Sequence, residues 1–492
     1  VPAPHIDPAG AGSAGGSSTV PAGPAATVTS DAPHSLQQRD AGLQRAMKSR
    51  QLQMIALGSA IGTGLFLGSA ESIGYAGPGV LVTFLFVGAI VYLLMRMLGE
   101  MAVANPVSGS FAAYARDFIG PRAGFVAGWN WWYTTIVVGM IELTAMGTFL
   151  DFWFPQIPHW ITALVTLVVV LIINAARVSI FAEAEYWLSL VKVIALVAMI
   201  ILGFVLVLTP SADAGFHNLT DHGGFFPFGA SGVVFSLVAV TFTFGGIMSI
   251  GTAAGETENP EHTIPKAINS VIWRILVFYI GGMSVILLLA PWDGQDSSES
   301  PFVRVLSFVG VDGAAHVLNL VILAAVASVC NTMTYSGARM LRDLSLNGQA
   351  PAYFGQTTRK GLPLRALLFN CALMGSVVLL NYFFEGKIFT VLLAVVVGSE
   401  LITWAAVNFA HLNFRKSGRS SSFTAPLFPA ANYICGAYFV LVLVLMAALP
   451  DYRVGLIAMA VWAIGLFIAA TVMERPGGHG ALRRETVQPH TL

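Results

Sequence analysis

The stretch Gly58-Ser59-Ala60-Ile61-Gly62-Thr63-Gly64 stands inside an apolar run that covers residues 52–74. A second run, 231–253, contains Phe242-Thr243-Phe244-Gly245-Gly246-Ile247-Met248-Ser249-Ile250-Gly251. A helix of about 20 apolar residues crosses about 30 Å of hydrocarbon. Glycine weakens a helix because it loses the most backbone freedom on folding. A glycine cluster in such a run therefore marks either an unwound segment or close helix–helix packing through small residues.

Working outward, ten more runs are long enough to span: 78–98, 124–148, 160–176, 186–208, 271–291, 315–337, 363–383, 387–409, 432–449 and 454–473. They are continuous rather than alternating, which fits helices and not a barrel. Composition agrees, since 56% of the 492 residues are hydrophobic and 10% charged, against about 25% charged in a soluble domain. Twenty-five basic and 25 acidic residues cannot cover a water-soluble surface of this size. The expectation is an all-α membrane protein with twelve transmembrane helices.

Orientation follows from the lysines and arginines. With the N-terminus inside, 21 of the 25 fall in cytoplasmic segments and three, Arg304, Lys387 and Arg453, in outer loops; Lys192 lies within a span. Cytoplasmic loops carry such an excess, and one missed span would invert every loop downstream. Both termini are therefore expected in the cytoplasm. The segments read as a disordered cytoplasmic tail (1–45), spans 1–6 (46–253), spans 7–10 (254–409), spans 11 and 12 (410–473) and a second tail (474–492). Of the first 35 residues 24 are Ala, Gly, Pro or Ser, and they lack the basic start and apolar run of a signal peptide.

The two glycine clusters stand at equivalent places if spans 1–5 and 6–10 are two halves. Five spans per half make the second half enter from the opposite side, giving a five-plus-five inverted repeat with broken helices 1 and 6, plus two extra helices. Paired interrupted spans point to a transporter binding site. A break near Gly62 would start the outer half of span 1 with free N–H groups and the positive end of the helix dipole, which suit a carboxylate. A break near Gly245 would free carbonyls that suit an ammonium. An α-amino acid presents both groups. The candidate substrate-binding residues are Ala60, Ile61, Gly62, Thr63, Gly64, Phe242, Phe244, Gly245, Gly246, Met248 and Ser249.

Three ionisable residues stand out within the spans: Glu142, Lys192 and Glu400. Each costs at least about 2.5–3.5 kcal/mol at a helix centre on insertion scales, which makes each a functional candidate. For Lys192 the alternatives are proton coupling and snorkelling toward the cytoplasm; for the two acids, a site role and a hydrogen bond that holds the bundle.

Other classes find no support. There is no basic stripe for nucleic acid. Cys330, Cys371 and Cys435 are odd in number and lie in apolar stretches, so no disulfide framework, metal or redox role follows. The letters of GxGxxG at Gly10–Gly15 have neither a strand before nor a helix after them. GxSxG, HExxH and Walker A motifs are absent, so no enzyme activity and no cofactor is expected. A channel or sensor lacks the paired interruptions, and the chain is expected to work as a monomer.

At Ile55-Ala56-Leu57-Gly58 through Gly68-Ser69-Ala70, Arg96-Met97-Leu98-Gly99-Glu100-Met101, Ser108-Gly109-Ser110-Phe111, Glu142-Leu143-Thr144-Ala145, Glu258-Asn259-Pro260-Glu261, Ile264-Pro265-Lys266-Ala267 and Ala410-His411-Leu412-Asn413-Phe414-Arg415, the chain resembles the bacterial amino-acid permeases of the amino acid–polyamine–organocation (APC) superfamily. It most resembles the aromatic amino-acid permeases; proline, asparagine, GABA and D-alanine/glycine permeases share most of these segments. The resemblance implies the five-plus-five fold, a bacterial inner-membrane location, and proton-coupled uptake of an amino acid by alternating access. It also implies that Lys192, in Leu190-Val191-Lys192-Val193-Ile194, takes the place of a coupling ion. Aromatic permeases typically read Phe-Gly-Gly-Leu-Glu in helix 6, where this chain has Met248 for the Glu, and Glu400 stands where relatives usually carry a small residue.

Overall fold

The computed structural model describes residues 61–107, 110–176, 178–209, 214–248, 260–294, 300–308, 310, 312–359, 361–383 and 388–473. The two tails, Ala60 and Ser249 lie outside them. Every regular element among the described residues is helical. In chain order these are α1 (Thr63–Phe66), α2 (Gly68–Ala76), α3 (Val80–Ala104), α4 (Ser110–Phe118), α5 (Pro121–Leu150), α6 (His159–Ala175), α7 (Val178–Leu208) and α8 (Gly229–Thr243). There follow α9 (Pro260–Arg274), α10 (Gly282–Leu289), α11 (Pro301–Phe308), α12 (Asp312–Leu346), α13 (Leu364–Met374), α14 (Ser376–Phe383), α15 (Ile388–Lys416), α16 (Ala430–Ala448) and α17 (Pro450–Met473). A π-helical segment, Ile275–Gly281, joins α9 to α10.

Nine helical stretches among the described residues are long and apolar enough to cross a membrane, and α6 and α8 are shorter apolar helices. The first stretch, Thr63–Ala104, passes through a 3-10 turn at Gly77-Pro78-Gly79 that separates α2 from α3. Gly77 has φ 56°, and a Cβ there would meet Pro227 Cγ at 2.5 Å, so both conformation and space call for glycine. Several helices outrun the apolar runs that announced them. Thus α7 starts at Val178 rather than 186, α12 continues through Arg339 and Arg342 to Leu346, and α15 ends at Lys416. Glu, Lys and Arg end a hydrophobic run but are good helix formers, so the helix continues past the hydrocarbon edge.

Burial is uneven. The apolar window of α5 is 78% buried and carries Asn130, Thr134, Thr135 and Glu142 inward. That of α17 is 11% buried, with Ile457, Val461 and Ile464 each at least 60% exposed, a surface suited to lipid. One line of α17 is nevertheless tightly held. A Cβ on Gly455 would fall 2.2 Å from Ala394 O of α15, and one on Gly398 would meet Met459 Cβ at 2.9 Å. Glycines on both helices thus let their backbones touch.

Candidate functional site

Gly62 is extended (φ −142°, ψ −157°), and α1 begins at the next residue. Gly62 O accepts the N–H groups of Leu65 and Phe66 at 3.1 and 3.3 Å. The first N–H groups of a helix have no partner within it. Here Thr63 Oγ1 donates to Glu142 Oε2 at 2.5 Å, and the Thr63 backbone N–H bonds to the same carboxylate. A buried carboxylate of the protein therefore sits at the helix start. The neighbouring glycines also serve close packing: a Cβ on Gly62 would lie 2.8 Å from Val329 Cγ2 and 3.3 Å from Glu142 Oε1, and one on Gly64 would lie 3.0 Å from Thr243 Cα. Ile61 is fully buried beside them.

The second glycine cluster lies at the end of α8. The helix stops at Thr243, and residues 244–248 form turns in which Gly246 has φ 78°. Gly245 N–H reaches Phe242 O at 2.8 Å, and the Tyr279 hydroxyl donates to Thr243 O at 3.2 Å. The Gly246 N–H donates to Glu400 Oε1 at 3.3 Å. Glu400 Oε2 has no well-aligned hydrogen-bond partner among the described residues, although the Trp404 indole one turn on lies within its reach. Thr403, a conceivable partner for Glu400, instead accepts Asn130 Nδ2 at 3.0 Å. Phe244 is fully buried and stacks on Tyr279 with centroids 4.6 Å apart. Phe242 faces Phe389 edge-on at 6.4 Å, and Met248 is buried. Contact between the two clusters runs through Gly64 and the Phe242–Thr243 backbone.

Lys192 is wholly buried, so it does not snorkel. Its ammonium donates to Ser328 Oγ of α12 at 2.9 Å and lies near enough to Glu142 to act on it through its field. Ser328 in turn donates to Glu185 Oε1.

The pattern that defines the amino acid permease family matches residues 51–477. The chain belongs to that family. The permease is 42% identical over 445 residues to the aromatic amino acid transport protein AroP of Escherichia coli K12, covering 89% of this chain and 97% of that protein. It is 40% identical over 436 residues to the uncharacterized amino acid permease YtnA of Bacillus subtilis, with 87% and 94% covered. The uncharacterized transporter YdgF of the same organism is 41% identical over 440 residues, with 88% and 96% covered. Family membership and the run of apolar helices make the permease a multi-pass membrane transporter of amino acids.

Sequence reading passed over several buried or half-buried ionisable groups of the permease. Glu185 is fully buried and lies two helical turns before Lys192 on α7, just outside the apolar run. Glu71, within the first run, accepts the Tyr452 hydroxyl at 2.8 Å. Glu100 binds His411 Nε2 at 3.0 Å, Arg415 Nε at 3.1 Å and the Ala425 N–H at 2.7 Å. Glu185 was visible as the residue seven before Lys192, a spacing that puts both on one helix face.

Proposed function

We propose that this permease takes up a neutral or aromatic amino acid by proton symport and alternating access. The observation that carries the reading is the helix start at Thr63, held by Glu142 with Lys192 close by. The substrate head group is assigned to the backbone of Ile61–Gly64 on one side and Phe242–Met248 on the other, with Ala60 and Ser249 at the ends of those segments. A substrate carboxylate arriving beside Glu142 brings two acid groups to one helix end, and a proton held between them removes their repulsion. Lys192 is the group assigned to move that proton. Phe244, beside the turn, is the candidate lining or gating ring. The name of AroP supports an aromatic substrate.

Twelve spans, the inverted repeat, cytoplasmic termini, a bacterial inner-membrane location and a monomeric unit belong to the same proposal. Each of the twelve apolar runs overlaps a described helix, and basic residues divide 21 to three between the two sides. A second reading keeps the mechanism and changes the substrate to proline, asparagine, GABA or D-alanine/glycine. It is favoured by Glu400 at Gly246, an acid on a different wall from the one that aromatic permeases typically carry.

Proteoliposomes test both. Labelled amino acid should show counterflow, should accumulate when the outside is made acidic, and should be displaced most strongly by phenylalanine, tyrosine or tryptophan in a screen of the twenty. Downhill flux with no counterflow would rule out the carrier, and displacement by proline or asparagine alone would favour the second reading.

A further inference from the structure

A continuous hydrogen-bonded line leaves Lys192 through Ser328. Lys192 Nζ donates to Ser328 Oγ at 2.9 Å, and the Ser328 hydroxyl donates to Glu185 Oε1. The other oxygen, Glu185 Oε2, accepts Asn331 Nδ2 at 3.4 Å, and Asn331 Oδ1 accepts Asn174 Nδ2 at 2.7 Å. Asn174 lines a cavity with Tyr335, Arg339 and Pro363. Lys192, Ser328 and Glu185 are each wholly buried, and Asn331 is 1% exposed. Every polar step therefore lies inside the protein until the cavity is reached.

The groups that face Glu185 come from each element around it. On α7 itself Ser189 Oγ is 3.3 Å from Oε1; α12 supplies Ser328 and Asn331; α6 supplies Asn174 through Asn331. The charged groups along the line are Lys192, whose field reaches Glu142, and Arg339, which lines the cavity with its guanidinium over the Tyr335 ring. A buried carboxylate two turns from a buried lysine, joined to it by one hydroxyl that accepts from the lysine and donates to the acid, has the geometry of a proton relay. An ion pair serving packing alone would bring Lys192 and Glu185 into direct contact, whereas here the serine stands between them.

We propose that Glu185 is the acceptor that takes the proton from Lys192 through Ser328 and passes it toward the cavity at Asn174. The idea rests on the proton-symport reading above and names the exit of that same route. In the step, an N–H bond of the Lys192 ammonium breaks and its proton goes to Ser328 Oγ. The Ser328 O–H proton passes at the same time to Glu185 Oε1. Lysine and acid end neutral, and the serine keeps one proton with its hydroxyl turned toward the lysine. Among the described residues Asn331 and Asn174 stand between Glu185 and the cavity; an amide does not carry a proton, so release takes place when water from the cavity moves past them to Glu185 Oε2 and accepts it.

The test compares proton-driven and exchange transport in proteoliposomes supplied with a labelled mixture of the twenty common amino acids. Glu185→Gln and Ser328→Ala should keep counterflow near the wild-type rate while losing accumulation driven by a pH gradient by at least about tenfold, the scale on which a positioned acid or base acts. Glu185→Asp, which keeps the carboxylate, should recover part of the loss. Wild-type accumulation by Glu185→Gln overturns the proposal, and so does equal loss of counterflow and accumulation in Glu185→Gln and Ser328→Ala, which would mark a structural role. If the wild-type protein itself shows counterflow but no response to a pH gradient, the symport reading fails and takes this one with it. The two failures are therefore distinct.

Discussion

The two glycine clusters look alike as sequence but are held differently. At Gly62–Gly64 the helix start is bonded by Glu142, which lies beside Lys192 and so joins a line of buried polar groups. At Phe244–Met248 the turn is bonded by Glu400, whose second oxygen has no well-aligned partner among the described residues, and Phe244 of the turn stacks on Tyr279. Each cluster thus has one carboxylate on one backbone N–H. Only the first carboxylate answers a buried positive charge. Removing charge should accordingly disable the first cluster and merely retune the second.

The largest effect is expected from Glu142→Gln. It removes the carboxylate that accepts Thr63 Oγ1 at the helix start and the field that carboxylate shares with Lys192, and a hydrogen bond to a carboxylate contributes about 1.5–3 kcal/mol. Transport should fall by about 100-fold or more, measured as initial uptake by protein inserted at wild-type levels. Retention of more than a tenth of wild-type uptake would remove the asymmetry argued here. Gly64→Val comes next. Its Cβ would press on Thr243 Cα at 3.0 Å, and overpacking of this kind costs about 1–3 kcal/mol. Substrate binding should weaken by about tenfold, and unchanged affinity by calorimetry would show that the contact between clusters is idle.

Glu400→Gln should leave uptake within a few-fold of wild type and alter the ranking of competing amino acids. An identical ranking and pH profile would make Glu400 a structural acid. The smallest effect belongs to Tyr279→Phe, which deletes the hydroxyl that donates to Thr243 O while keeping the ring stacked on Phe244. One such bond contributes about 1 kcal/mol, so the melting temperature should drop by only about one degree in a chain of this length, with transport nearly intact. A larger loss of transport than of stability would place Tyr279 in the machinery of the second cluster.

Much of this was readable before the structure because membrane sequences are constrained. Lipid forces each spanning segment to satisfy its own backbone, which makes apolar runs legible as helices, and glycine is costly enough in them that Gly62 and Gly245 point to where helices begin or stop. What could not be read is which distant side chain meets which backbone group. Nothing local to Glu400 names Gly246 as its partner, 154 positions away. The omission of Glu185 has another origin: a hydropathy boundary marks where apolar residues begin, not where burial begins. Since α7 starts eight residues before that boundary, a fully buried carboxylate falls just outside the apolar run. Glu71 shows the same blindness inside a run, since its partner Tyr452 is 381 positions on.

The backbone contact between Gly455 and Ala394 has a mechanical consequence. Helix α17 shows most of its surface to the outside, while α15 carries Glu400 to the second cluster. With no side chain between them at that point, a shift of one backbone presses directly on the other. A bilayer thinner or thicker than the 24 residues of α17 prefer is met by helix tilt. Tilt imposed on α17 by the thickness of the surrounding lipid is therefore expected to press on α15, and a change in uptake between thin and thick bilayers would register it at the carboxylate on Gly246.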